Sequence, residues 1–453
     1  MKSILTVALA VTLITIALVS PAKAQSVTIL SPLDIRAAYD LNPLLQSGYT
    51  GKGVTVAVVN SGIDKTFYSD LTFFSNKYGL PAPVTVVAQP DGSAGTDIES
   101  PTAETTFDAE YVHAMAPDAK ILLVLTGTHT YLDGFSYVID NNAADIATLS
   151  PSWYQWGQGA SDFVQSYNDE YAKSVGENIT LIASSQDWGS NNSVPWGWVS
   201  GVFWTKHLPN SYLMPQYSPY VTAVGGTVLT MQSGTYVSET GWNQSGGGPS
   251  NLFREPSWQT GPGVPQNGFR NIPDISLDAS CTTPYAFDWN ADYYTWFCGT
   301  SAGAPTFAGI MADIDQAAGG RVGFLNPLLY SLATSDPSVY HDVTSGCSVV
   351  EAYYGAPVKT GYCASAGWNF VTGWGSIDAA KLAAHLAPSA HMVPEFPVGA
   401  AIPFSLILVP VLFAARKHGK MKNDQGYPNA NLKDSVFHCD KKSAHRLRHV
   451  TAH

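Results

Sequence analysis

Residues 51–62 read GKGVTVAVVNSG, and the run 54–59 inside that stretch decides the fold. Six strand-forming residues with no alternation of polar character describe a strand covered on both faces, the hallmark of a parallel sheet between layers of helices. Downstream, a loop rich in Pro, Gly and Ser spans 80–101, followed by AETTFDAEYVHAMAPDAK at 103–120. Phe107, Tyr111, Val112 and Met115 recur there at helical spacing and Pro117 stops the pattern, which predicts a helix. Further apolar strands are expected at 121–125, 146–149, 179–183 and 220–224, with helical segments between them. Such alternation predicts an α/β fold with three layers: a mostly parallel central sheet and helices on both faces. A glycine-rich segment, SGGGPS, follows at 245–250.

The ends of the chain have a different character. Lys2, an apolar run at 4–19 and Ala22-Lys23-Ala24 fit a secretory signal over residues 1–24. The globular domain is expected over 25–386 and a Pro-containing linker over 387–395. An uncharged apolar span at 396–415 is long enough to cross a bilayer as a helix. Arg416, Lys417, Lys420 and Lys422 come directly after it, so a basic tail, 416–453, is expected in the cytoplasm with the bulk of the chain outside. The PEFP preceding the span also resembles a sorting signal that is cut and replaced by a lipid. Because the chain continues well past the basic cluster, an ordinary transmembrane anchor is the preferred reading.

Charge divides at the same place. The tail holds nine Lys or Arg against three Asp, net +6, and residues 1–415 hold 14 against 32, net −18. So acidic an ectodomain excludes nucleic acid as a partner and suits an acidic milieu, where few cations accumulate to repel one another. Aromatics at 12% and charged residues at 13% exclude a disordered chain and imply a large core. Of the five cysteines, Cys281 and Cys298 are neighbours in sequence, as are Cys347 and Cys363. Two local disulfides are the economical pairing, leaving Cys439 as a free thiol in the tail.

Chemistry points to GTSAGAP, residues 299–305. Small residues around Ser301 suit a tight turn into the helix expected at 306–318, where unpaired N–H groups welcome negative charge. Ser301 reads either as a nucleophile in that position or as an N-cap. A nucleophilic serine needs a base. Gly127-Thr-His129 and Asn60-Ser-Gly resemble the histidine and aspartate motifs of subtilisin-like peptidases, but Thr126 and Asn60 occupy the reactive positions, so no such triad can form. Glu104 and Asp108 are better placed: four apart on the expected helix, they share a face and can make a base and its orienting partner. The competing description is a solvated acidic face that includes Glu110.

Taken in order, ETTFD followed by MAPDAKI, Ser152-Trp153, SSQDWG, SGGGPS with Pro256 and Trp258, and GTSAGAP resemble the sedolisins, serine-carboxyl peptidases of subtilisin-like fold, with kumamolisin-like features. The resemblance covers roughly residues 31–386. It implies Ser301 as nucleophile, Glu104 as general base and then acid, Asp108 as the group holding Glu104, and Asp187 as a protonated oxyanion donor. It further implies serine-type endopeptidase action on protein or peptide substrates at low pH by a monomer. A structural calcium is also implied, held by Asp342, the Val343, Ser365 and Gly367 carbonyls and Asn369. In that set the family's second aspartate is Asn369, which removes one negative charge. Asn60 stands where some members carry a glutamate, and the family's usual long propeptide has no counterpart between the signal and the domain. The competing functional class is a catalytically silent binding or structural module on the same fold.

Overall fold

The computed structural model describes residues 27–90, 103–127, 129–189, 194–199, 202–206, 211–290, 292–351 and 359–386. The expected signal, linker, transmembrane span, tail and Cys439 lie outside them. Among the described residues no helix is long and apolar enough to cross a membrane.

The central sheet contains β1 (Thr55–Asn60), β2 (Val84–Ala88), β3 (Lys120–Leu125), β4 (Ile146–Leu149), β5 (Thr180–Ser184), β6 (Thr222–Gln232), β7 (Thr235–Gly241) and β8 (Ile275–Asp278). Its order is β7-β6-β5-β4-β1-β3-β2, with β8 also paired to β6. Every pairing is parallel except the β6–β7 hairpin. In register, Val56 faces Ile121 on one side and Ile146 on the other.

Alternate residues of these strands enter two separate cores, as the two-residue period of a strand requires. Val56, Val58, Ile121, Leu123 and Ile182 pack on one side with α1 (Phe67–Lys77), α2 (Glu104–Met115) and α5 (Thr300–Ala318). Ala57, Val59, Val124, Leu149 and Leu181 pack on the other with α3 (Leu132–Asp140) and α4 (Ala160–Tyr171). This is the expected three-layer α/β arrangement. Disulfides join Cys281 to Cys298 and Cys347 to Cys363, the pairing the spacing predicts.

One expectation for α2 fails. A solvated acidic face is absent: all twelve residues of the helix are buried, including Glu104, Asp108 and Glu110. The helix is buried all round because it lies between β1, α1 and α5, so its polar side chains must find partners inside the protein.

Candidate active site

In open α/β sheets, ligand sites form beyond the carboxyl ends of the strands. Ser150 follows β4 at that edge, and Gln186 and Asp187 follow β5. The N-termini of α2 and α5 bring Glu104 and Ser301 to the same place.

Gly299 is the N-cap of α5, with φ 118°. A side chain at this position would be strained, and its first carbon would lie 2.4 Å from Asp187 Oδ2. Glycine thus lets the chain turn tightly past Asp187 and present Thr300 and Ser301. The Thr300 backbone N–H and hydroxyl both donate to Asp187 Oδ1, at 2.7 and 2.8 Å. With Oδ1 taken by two donors, Oδ2 is the oxygen that carries a proton. Burial pushes Asp187 from the usual 3.8 up to about 6, against the opposing effect of the two Thr300 hydrogen bonds.

The Ser301 hydroxyl stands close enough to the Glu104 carboxyl group to favour its charged form. Burial raises Glu104 from 4.5 to about 7; Ser301 works against the rise, and the Asp187 charge adds to it. Asp108, one turn along α2, is pushed well above the usual carboxylate range by burial and then by the charge of Glu104.

Pro305 supplies a link that the sequence reading did not include. Lacking an N–H, it cannot bond the carbonyl four residues back, that of Ser301. The Ser150 hydroxyl lies 3.3 Å from that carbonyl oxygen and 3.0 and 3.1 Å from the two Asp108 oxygens. A neutral Asp108 can donate to Ser150, which then donates to Ser301 O. The Ser150 carbonyl is in turn held by Ser184 Oγ at 2.6 Å and Gln186 Nε2 at 3.3 Å. Ser150 thus ties α2, α5 and the β5 loop together. Its only sequence signal is a polar residue directly after a buried parallel strand.

Ser301, Glu104, Asp108 and Asp187 therefore converge. Burial raises Tyr131, and the nearby Glu104 charge adds to the rise while Ser61 works against it. His129 is exposed on a turn, and its N–H donates to Thr126 O at 3.0 Å. Asn60 is buried; its Oδ1 accepts from the Ser61 N–H at 2.8 Å, and its Nδ2 has no partner among the described residues.

The five expected calcium ligands gather in one corner, but their chemistry does not fit a cation. Asn369 Nδ2 points at the carbonyl oxygens of Ser365, Val343 and Gly367, at 3.2, 3.3 and 3.4 Å. Asp342 is exposed, and its Oδ2 accepts from the Gly367 N–H at 3.1 Å. A hard divalent cation takes six to eight oxygens; here an N–H donor points into the oxygens that would supply them. Among the described residues no three His, Cys, Asp or Glu side chains gather to hold a metal.

No family model matches the chain. It is 30% identical to sedolisin of Pseudomonas sp. (strain 101) over 381 residues, 79% of this chain and 61% of that protein. It is 31% identical to kumamolisin of Bacillus sp. (strain MN-32) over 394 residues, 82% of this chain and 66% of that protein. Among solved structures, Pseudomonas sedolisin (serine-carboxyl proteinase) complexed with two molecules of pseudo-iodotyrostatin superposes with a TM-score of 0.68 at 29% identity, covering 80% of this chain and 98% of that one. The chain thus spans between three fifths and two thirds of the length of these two curated relatives.

Proposed function

Homology to sedolisin and kumamolisin over about four fifths of the chain supports the sedolisin family, and on that premise we propose that the protein is a serine-carboxyl peptidase that works below neutral pH. The observation that carries this reading is the convergence of Ser301 on a buried Glu104, beside an Asp187 whose free oxygen faces the start of α5.

In the proposed reaction Glu104 takes the Ser301 proton as Oγ attacks the scissile carbonyl, and Asp108, one turn along α2, supports Glu104 through the electrostatic interaction of the two carboxyls. The negative charge then developing on the carbonyl oxygen is met by the protonated Asp187 and the N-terminal end of α5. Glu104 returns its proton to the leaving amine. A water molecule, deprotonated by Glu104, then releases the acyl group. The competent state needs Glu104 ionised and Asp187 neutral. Because the two titrate close together and interact, the pH profile reports values belonging to the cluster rather than to either residue.

The decisive experiment is digestion of a denatured protein across acid to neutral pH with wild type and Ser301→Ala, together with labelling of Ser301 by a peptide aldehyde at acid pH. Wild-type activity with an optimum below pH 7, lost in the variant, is expected. Equal activity in both, or an optimum above neutrality, would overturn the reading. Absence of both labelling and turnover would favour the silent module.

Further parts of the proposal rest on residues outside the described set. The apolar residues 396–415 with the basic residues after them support a membrane-anchored protein whose domain faces outward, exported by residues 1–24. Endopeptidase action is proposed with it, and product mass spectrometry on a long peptide distinguishes internal cuts from successive tripeptides.

A further inference from the structure

We propose that the amide of Asn369 occupies the place of a structural cation, so that the corner formed by residues 342–343 and 365–372 is held without calcium. The orientation of the amide follows from its partners. Oδ1 accepts from the Val371 N–H at 3.0 Å, the Thr372 N–H at 3.0 Å and the Thr372 hydroxyl at 3.1 Å. Nδ2 faces three carbonyl oxygens. Five of these six neighbours fix the orientation: a flipped amide would set its NH₂ against two N–H groups and its oxygen against three carbonyls.

Three carbonyls converging on one point without a donor would be an unsatisfied cluster of partial negative charge. A cation satisfies such a cluster, and so does an N–H donor. An aspartate here would direct one oxygen to the N–H groups and leave the other for a metal; an asparagine directs a donor there instead. An approaching cation would meet the positive hydrogens of Nδ2, with only the exposed Asp342 to offset them. Amide and ion are therefore mutually exclusive occupants of the same position.

The corner is connected to the candidate active site. The Val371 carbonyl accepts from Ser245 Oγ at 2.7 Å, which also receives the Gly226 N–H at 2.9 Å. The next residue, Gly246, donates its N–H to the Gln186 carbonyl at 2.6 Å, directly before Asp187. An amide does not titrate in acid, whereas a metal site built on carboxylates releases its ion as they protonate. The amide keeps this brace in place over the whole acidic range.

The test is thermal unfolding of the purified chain, carrying Ser301→Ala to prevent self-digestion, in excess EDTA and in excess calcium chloride, with calcium content measured by elemental analysis. Equal Tm in the two conditions and far less than one calcium per chain are expected. A Tm that falls in EDTA and recovers with calcium, or one calcium retained per chain, would overturn the proposal. Asn369→Asp is expected to create what the wild type lacks: a calcium-dependent rise in Tm near neutral pH that vanishes at acid pH. Asn369→Leu removes the amide and offers no ligand, so its Tm should lie below wild type equally in EDTA and in calcium. If the strut were an ion, the two proteins would coincide in EDTA, which would also overturn the proposal.

Discussion

At the scale of single residues, the reactive group is set by which atoms are already occupied. Asp187 Oδ1 is taken by Thr300, so its role falls to Oδ2, and that role depends on a proton. A group raised to about 6 loses that proton as pH climbs through 6, replacing a donor by a negative charge where the proposed reaction forms an oxyanion. Asp187→Asn keeps a donor that does not titrate. Its kcat/KM profile is expected to retain activity above pH 7 where the wild type declines. Asp187→Ala is expected to lose about 10²–10³ in kcat. An alkaline limb unchanged in the Asn variant would show that Asp187 does not set it.

Much of this was legible in the sequence as a set of motifs, and some was not. Ser301, Glu104, Asp108 and Asp187 could be named because they sit in distinctive strings. Ser150 could not, since a lone serine after a strand has no local signature and its role depends on a proline 155 positions later in the chain. The Asn369 substitution was visible, but placing Asn369 among the calcium ligands assumed that its side-chain oxygen faces the carbonyls. Which end of the amide does so is decided by Val371 and Thr372, through geometry that a sequence does not display.

At the scale of elements, the contact between α2 and α5 holds Ser301, the proposed nucleophile, against Glu104, its proposed base. The two helices approach closely at Gly309, where the first side-chain carbon would lie 2.6 Å from Met115 Cβ and 2.9 Å from the Val112 carbonyl oxygen. Gly309→Val therefore wedges the helices apart, at an expected cost of about 1–3 kcal/mol. Because one helix carries Glu104 and the other Ser301, the same wedge should lower kcat more than it changes KM. Gly320→Ala, at the far end of α5 with nothing within 4 Å, is the control and should leave both unchanged. Urea unfolding and steady-state kinetics read the two effects; a Gly309→Val protein as stable and active as wild type would mean the contact does not govern the site. β1, β3, β4 and β5 were readable because each is largely apolar, whereas β2 lies inside the stretch 80–101 read as a loop, and β7 and β8 carry no continuous apolar run. β6 runs on to Gln232, beyond the apolar run 220–224, because its last residues pair with β7, with Leu229 still entering a core.

At the scale of the whole molecule, a shared feature is the number of carboxyl groups held in the interior. Burial raises Glu104 and Asp315 to about 7 and Asp187 to about 6, and pushes Asp108, Glu110, Asp278 and Asp313 well above the usual range. Each is neutral in the folded protein at acid pH. The sign follows from linkage: a carboxyl whose folded pKa exceeds its unfolded value contributes stability fully present below the unfolded pKa and lost as pH rises through the folded one. For Glu104, Asp187 and Asp315 the loss runs from about pH 4 to about pH 7, and a rise of about two units corresponds to roughly 3 kcal/mol. His113 acts in the opposite sense: burial lowers it from 6.5 to about 4, so its contribution is present above about 6.5 and is lost as pH falls from there through 4, offsetting part of what the carboxyls gain. Thermal unfolding of the Ser301→Ala protein is therefore expected to give a Tm that is highest in mildly acidic solution, near pH 4 to 5, and falls steadily toward pH 8. A Tm rising from pH 4 to 7 would mean that these acids enter the folded state ionised, and the acid character proposed for the site would lose its physical basis along with them.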